Sequence, residues 1–87
     1  MRIRTLINCM ASDTCQKIQI RAENGWIKLF VDLDNTSDPD FIVLDAVADM
    51  WIKEWYVNPS AEIIFYTDEE LTEEQIQLCI NYGFTVV

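Results

Sequence analysis

Five carboxylates fall within the seven residues from Asp68 to Glu74: Asp68, Glu69, Glu70, Glu73 and Glu74. Carboxylates at that density can hold a divalent cation, imitate a phosphate backbone, or open a helix. A second acidic motif, Asp32-Leu33-Asp34, closes an apolar run. As the start of a calcium loop it needs glycine at the sixth position and glutamate at the twelfth, where this chain has Ser37 and Val43. The chain contains no histidine, so its serine and threonine hydroxyls lack the usual general base. Its two glycines, Gly25 and Gly83, sit at turn and cap positions and leave no phosphate-cradling loop. Cys9, Cys15 and Cys79 have neither CxxC spacing nor a histidine partner and read as free, partly buried thiols. No catalytic residue, metal or cofactor is expected.

The segment Leu29 to Thr36, LFVDLDNT, resembles the first motif of haloacid-dehalogenase-type phosphotransferases, and Ile63 to Thr67, IIFYT, resembles the second. That resemblance implies Asp32 as nucleophile and Asp34 as general acid, with magnesium between them. The chain departs from the pattern where the chemistry needs it. No lysine follows Lys53, no downstream acidic pair follows a further strand, and 87 residues cannot hold a doubly wound core. A strand ending in a polar turn is the expected reading, and the protein is expected not to be an enzyme.

The elements follow from hydrophobic period and punctuation. Thr5 is a candidate cap for a short helix carrying Leu6, Ile7, Cys9 and Met10, ending in a polar turn at 11–14. QKIQIRA alternates, with Ile18, Ile20 and Ala22 on one side and Lys17, Gln19 and Arg21 on the other. After an Asn24-Gly25 turn, WIKLFVDL alternates again with Ile27, Leu29, Val31 and Leu33 aligned, which predicts a hairpin. Asp38 as N-cap and Pro39 as first residue predict a helix to about Met50. From Trp51 to Val57 the chain can continue as helix or change to strand, and its aromatic and branched residues favour strand. A turn at Asn58-Pro59-Ser60 precedes AEIIFYT, which reads as a central strand.

The helix-start reading of Asp68 to Glu74 is the most economical one. Thr72 with Gln75 makes a capping box, Leu71 with Ile76 a hydrophobic staple, and Glu73 and Glu74 occupy the first turn, where the dipole favours them. Gly83 then stops the helix, Phe84 folds back on Cys79, and FTVV is expected as a last strand. Together these predict one α+β domain, residues 1–87. It should have two layers, a mostly antiparallel sheet of four or five strands under two or three helices, and a final strand-helix-strand pairing in parallel.

Charge sets the expected partner. The formal net charge is −9, distributed as a mildly basic head to Val31, an acidic stretch from Asp32 to Glu74 whose only base is Lys53, and an uncharged tail. That pattern disfavours direct binding of nucleic acid and favours a basic protein surface. The longest apolar run is four residues and the first ten lack a signal-peptide core, so no membrane span and a cytoplasmic location are expected. Asp45, Asp49, Asp68, Glu69 and Glu70 are the candidate acidic contacts; Trp51, Trp55 and Tyr56 are expected first as core rings over the sheet and, as the alternative, as aromatic anchors for a partner or a planar ligand. The aromatic content and uncharged tail also predict self-association as a homo-oligomer, a dimer in the simplest case.

QKIQIRA with WIKLFVDL, in a chain with a short first helix and an acidic middle, resembles small acidic proteins carried by bacteriophages and mobile elements. That resemblance implies an anti-CRISPR-like inhibitor that occupies the basic nucleic-acid channel of a nuclease or another nucleic-acid-binding protein. Its alternative implication is a self-associating module that is structural or sequesters a small ligand such as a nucleotide.

Overall fold

The two alternating segments fold as β1 (Cys15–Ala22) and β2 (Gly25–Asp32), an antiparallel hairpin paired from Cys15↔Asp32 to Ala22↔Gly25. This is a computed structural model, and it describes residues 1–10 and 15–87, so the polar turn expected at 11–14 lies outside the described residues. The remaining elements are α1 (Ile3–Ile7), α2 (Pro39–Val47), β3 (Glu54–Val57), β4 (Glu62–Tyr66) and α3 (Glu73–Asn81). The four strands make one mixed sheet in the order β2-β1-β4-β3, with β1 parallel to β4 and the other two pairings antiparallel. Side chains from all three helices share one core with Ile18, Ile20, Ile27, Leu29, Val31 and Phe65. The helices therefore form a single layer on one face, and the domain is α+β as its sequence predicts.

Several expectations are corrected in detail. The first helix begins at Ile3 rather than after Thr5, because the N–H groups of Ile3 and Arg4 donate to the carbonyls of Met50 and Ala48 at the end of α2. Carbonyls of the α2 terminus thus satisfy donors that a side-chain cap would otherwise serve. The hairpin loop is Glu23-Asn24, one residue earlier than an Asn-Gly turn, and Gly25 keeps a negative φ. Asn24 is otherwise engaged: its amide brackets Leu71, accepting from the Leu71 N–H at 2.7 Å and donating to its carbonyl at 2.9 Å. Gly25 is needed for close approach, since a Cβ there would lie 2.5 Å from Cγ1 of Val86.

FTVV is not a strand, so the sheet has four strands and no parallel pair follows α3. The tail instead runs beside β2, where Trp26 and Val87 exchange two backbone hydrogen bonds of 2.8 and 3.0 Å. The parallel pairing arises between β1 and β4, which become neighbours across the excursion through β2, α2 and β3. Asp38 occupies the N-cap position of α2 without a side-chain cap, and the Asp40 carboxylate reaches back to accept the Phe30 N–H at 2.8 Å. Asp40 and Val87 thereby cover both ends of the outer edge of β2.

The capping box forms as predicted, with the Gln75 N–H donating to Thr72 Oγ1 at 3.1 Å and the Thr72 N–H to Gln75 Oε1 at 2.9 Å. The other end closes as a Schellman turn around Gly83, whose φ is +85°, with Phe84 N–H donating to Cys79 and Gly83 N–H to Ile80. Thr72→Ala should therefore lower unfolding free energy by about 0.5–2 kcal/mol in urea titration. A loss below that range would mean that the tertiary contacts of Leu71 hold the helix start by themselves.

Cys79 is fully buried on α3, where burial pushes its thiol pKa up, while Cys9 and Cys15 are exposed. A maleimide reagent should modify Cys9 and Cys15 in the folded protein and reach Cys79 only after denaturation. Labelling of all three thiols at one rate would contradict this packing.

Candidate functional site

Of the eight residues expected to meet a partner, Asp45, Asp49, Trp51, Asp68 and Glu69 are linked by contacts around the end of α2 and the loop after β4, whereas Trp55 and Tyr56 lie on β3. Arg4 links the two acids of α2, donating from Nη1 to Asp45 at 2.6 Å and from Nε to Asp49 at 3.0 Å. Arg2 stands 4.0 Å from Asp49 and lies over the Trp51 ring. The Trp51 N–H donates to Glu69 Oε2 at 2.5 Å, and Lys53 pairs with Asp68 at 3.3 Å. Asp45, Asp49, Trp51, Asp68 and Glu69 thus form a connected strip, with Glu70 exposed beside it. Three bases are woven through the acids, so the strip is less negative than its carboxylates alone imply. The Arg4 guanidinium holds the Asp49 carboxyl below its ordinary pKa.

Trp51, Trp55 and Tyr56 are not core residues. Their exposures are 53%, 47% and 43%, and Val57 beside them is 55% exposed. Trp55, Tyr56 and Val57 lie on β3, all four residues of which are exposed. The register pairs Asn58 with Glu62, and the Asn58 N–H donates to the Glu62 carbonyl. By antiparallel alternation, Trp55 and Val57 turn their backbone groups away from β4. The free edge of the sheet is therefore apolar, aromatic and flanked by carboxylates.

The helix-free face of the sheet holds a second constellation. Alternation brings Lys17, Gln19 and Arg21 of β1, Trp26, Lys28 and Phe30 of β2, Glu62, Ile64 and Tyr66 of β4, and Tyr56 of β3 to this face. Ile64 is 1% exposed yet stands apart from the core cluster, covered by the long side chains of this face. Arg21 is its hub. The guanidinium lies 4.1 Å from the centroid of the Trp26 ring and 5.3 Å from that of Tyr66. It donates from Nε and Nη2 to Gln19 Oε1 and from Nη1 to the Tyr66 hydroxyl at 2.6 Å. Gln19 passes the chain on, donating to Glu62 at 2.8 Å, and Asn58 donates to the other oxygen of Glu62. Tyr56 stacks on Tyr66, and its interaction with the Tyr66 hydroxyl, followed by burial, raises its phenol pKa.

The hydrogen bond from Gln19, and after it that from Asn58, holds Glu62 below its ordinary pKa. A depressed folded-state pKa contributes stability above the unfolded value and loses it as pH falls through the folded one. Gln19→Ala should move the Glu62 midpoint, read by carbonyl NMR, back up toward the ordinary glutamate value. An unmoved midpoint would assign the shift to Asn58 and, after it, to Lys28 and Lys17.

Among the described residues no three acidic or thiol side chains converge in a metal-holding cluster, and no helix is long and apolar enough to cross a membrane. The domain is defined by a one-sided mixed sheet with an exposed aromatic edge and an aromatic open face on which three bases balance three acids. Comparison with protein-family models, curated proteins and solved structures finds no match to the chain. Sequence reasoning selected the edge residues but passed over Gln19, Arg21, Trp26, Lys28 and Tyr66. The available signal was the second phase of WIKLFVDL, which places Trp26, Lys28 and Phe30 opposite the buried set.

Proposed function

We propose that this is a non-catalytic binding protein that docks through β3 and its surrounding acids on a basic protein surface, of the kind that otherwise holds nucleic acid. It would act as an inhibitor by occupying that surface in the cytoplasm, as phage-borne and other mobile-element inhibitors do. The observation carrying this reading is the contrast between the two edges of the sheet. The β2 edge is covered by Val87 and Asp40, whereas β3 is exposed over its whole length. Natural sheets guard edges that must stay unpaired, and an open edge with exposed rings fits strand addition by a partner. Glu54 on the strand and Asp68 beside Lys53 at its start, together with the exposed acids Asp45, Asp49, Glu69 and Glu70, favour a basic partner and make association sensitive to salt.

The test is affinity capture on the immobilised protein at low salt, eluted with a salt gradient, beside Val57→Pro. Proline at an edge position removes one outward N–H and leaves the fold intact. The expected result is a basic protein retained by the wild type, released by salt, lost with Val57→Pro, and unable to bind nucleic acid while in complex. Equal capture by both proteins, or retention indifferent to salt, overturns the proposal.

A second reading is self-association at the same edge. A symmetric antiparallel pair would set Trp55 of one copy opposite Val57 of the other, with the outward backbone groups of both satisfied. Light scattering separates the readings: a dimer abolished by Val57→Pro supports self-pairing, and a monomer leaves the edge to a different protein.

A further inference from the structure

Of the six bases in the chain, Arg2, Arg4 and Lys53 lie in ion pairs at the acidic end, and Lys17, Arg21 and Lys28 share the open face of the sheet. There they stand among Asp32, Glu54 and Glu62, a locally balanced set. The other described residues carry three bases against eleven acids. A chain so rich in carboxylate nevertheless holds Arg21 with the neutral groups Gln19 and Tyr66 and a Trp ring, and no carboxylate comes within ion-pair distance of it among the described residues. Three of the five guanidinium N–H groups are used in these contacts, which leaves two to donate.

Arg21 borders two hollows of different character. One, of about 430 Å³, is formed by Gln19, Arg21, Trp26 and Lys28 with Thr85 and Val87 of the tail as its wall, and no acidic side chain lines it. The other, of about 240 Å³, includes Glu23, Glu54 and Asp68 and would repel an anion. The larger hollow falls within the range of about 300–1,000 Å³ usual for small-molecule sites. It combines a pre-positioned arginine, a second cation and a large aromatic ring, which suit an oxyanion attached to a flat ring.

We infer that this hollow on the open face of the sheet is a binding site for a nucleoside monophosphate, with Arg21 and Lys28 taking the phosphate and Trp26 flanking the base. The site is independent of the β3 edge. Its occupant is a short anion rather than a nucleic-acid strand, because Asp32, Glu54 and Glu62 border the face and the whole chain carries −9.

The experiment titrates the full chain with adenosine 5′-monophosphate, adenosine, inorganic phosphate and single-stranded oligonucleotides of increasing length. Calorimetry gives affinity and the Trp26 indole NMR signal gives location. Adenosine monophosphate should bind saturably and shift the Trp26 signal, with adenosine and phosphate each at least about tenfold weaker, as expected when either half of the contact set is missing. Arg21→Lys, which keeps the charge but loses the planar fork, should also weaken binding by about tenfold. Lys28→Gln changes an exposed side chain that the fold does not need, and should weaken phosphate-bearing ligands while leaving adenosine unchanged. The inference is overturned by absence of saturable binding, by phosphate binding as tightly as the nucleotide, or by wild-type affinity in a folded Lys28→Gln protein. Affinity that climbs with oligonucleotide length would replace it with a nucleic-acid surface.

Discussion

Phe65→Ala is expected to cost about 3–5 kcal/mol of unfolding free energy, a large share of what a domain of this size has. Phe65 is the largest fully buried side chain and sits on an interior strand between Ile20 of β1 and Trp55 of β3. Removing its ring leaves a cavity in the core to which all three helices contribute side chains. For a domain of 87 residues, total stability is on the order of 4–13 kcal/mol at about 0.05–0.15 kcal/mol per residue. Urea denaturation should show a large fall in midpoint with little change in slope. A loss under about 1 kcal/mol would mean that the sheet and helices do not meet at Phe65.

Trp55→Ala is expected to have the opposite profile. Its ring lies across the pair from Phe65 but is half exposed at the open edge. Truncation should change stability by less than about 1 kcal/mol, within the range of a partly exposed site. At the centre of an interface the same truncation should remove about 2 kcal/mol or more of partner affinity, roughly thirtyfold in Kd. Asp45→Asn combined with Asp49→Asn should act differently, slowing association and flattening its salt dependence. A folded Trp55→Ala protein that holds the partner as tightly as the wild type would remove the β3 edge from the interface.

The hairpin, α2, β4 and α3 were legible because each has a local cause: period-two alternation, Pro39 at a helix start, a four-residue apolar run, and the Thr72–Gln75 box. What eluded the sequence was set by contacts distant along the chain. The helix at Ile3 depends on carbonyls of Ala48 and Met50, and the loop at Glu23-Asn24 depends on Leu71. Thr85 to Val87 look like a strand by composition but, among the described residues, exchange backbone hydrogen bonds with β2 only at Trp26. Charge and proximity in sequence single out the acidic contacts, whereas the bases that temper them, Arg2 and Arg4, arrive from the opposite end of the chain. The open-face constellation is likewise assembled from β1, β2 and β4, and Arg21 gains its meaning only when Tyr66, forty-five residues away, closes over it.

The most direct measurement is residue-resolved amide hydrogen exchange of the protein alone and in complex with its captured partner. In the free protein the Trp55 and Val57 amides face solvent and should exchange rapidly. In the complex both should become strongly protected, while the Lys28 amide on the opposite edge keeps its free-protein rate. Unchanged exchange at Trp55 and Val57, with protection elsewhere on the molecule, would contradict docking through the β3 edge.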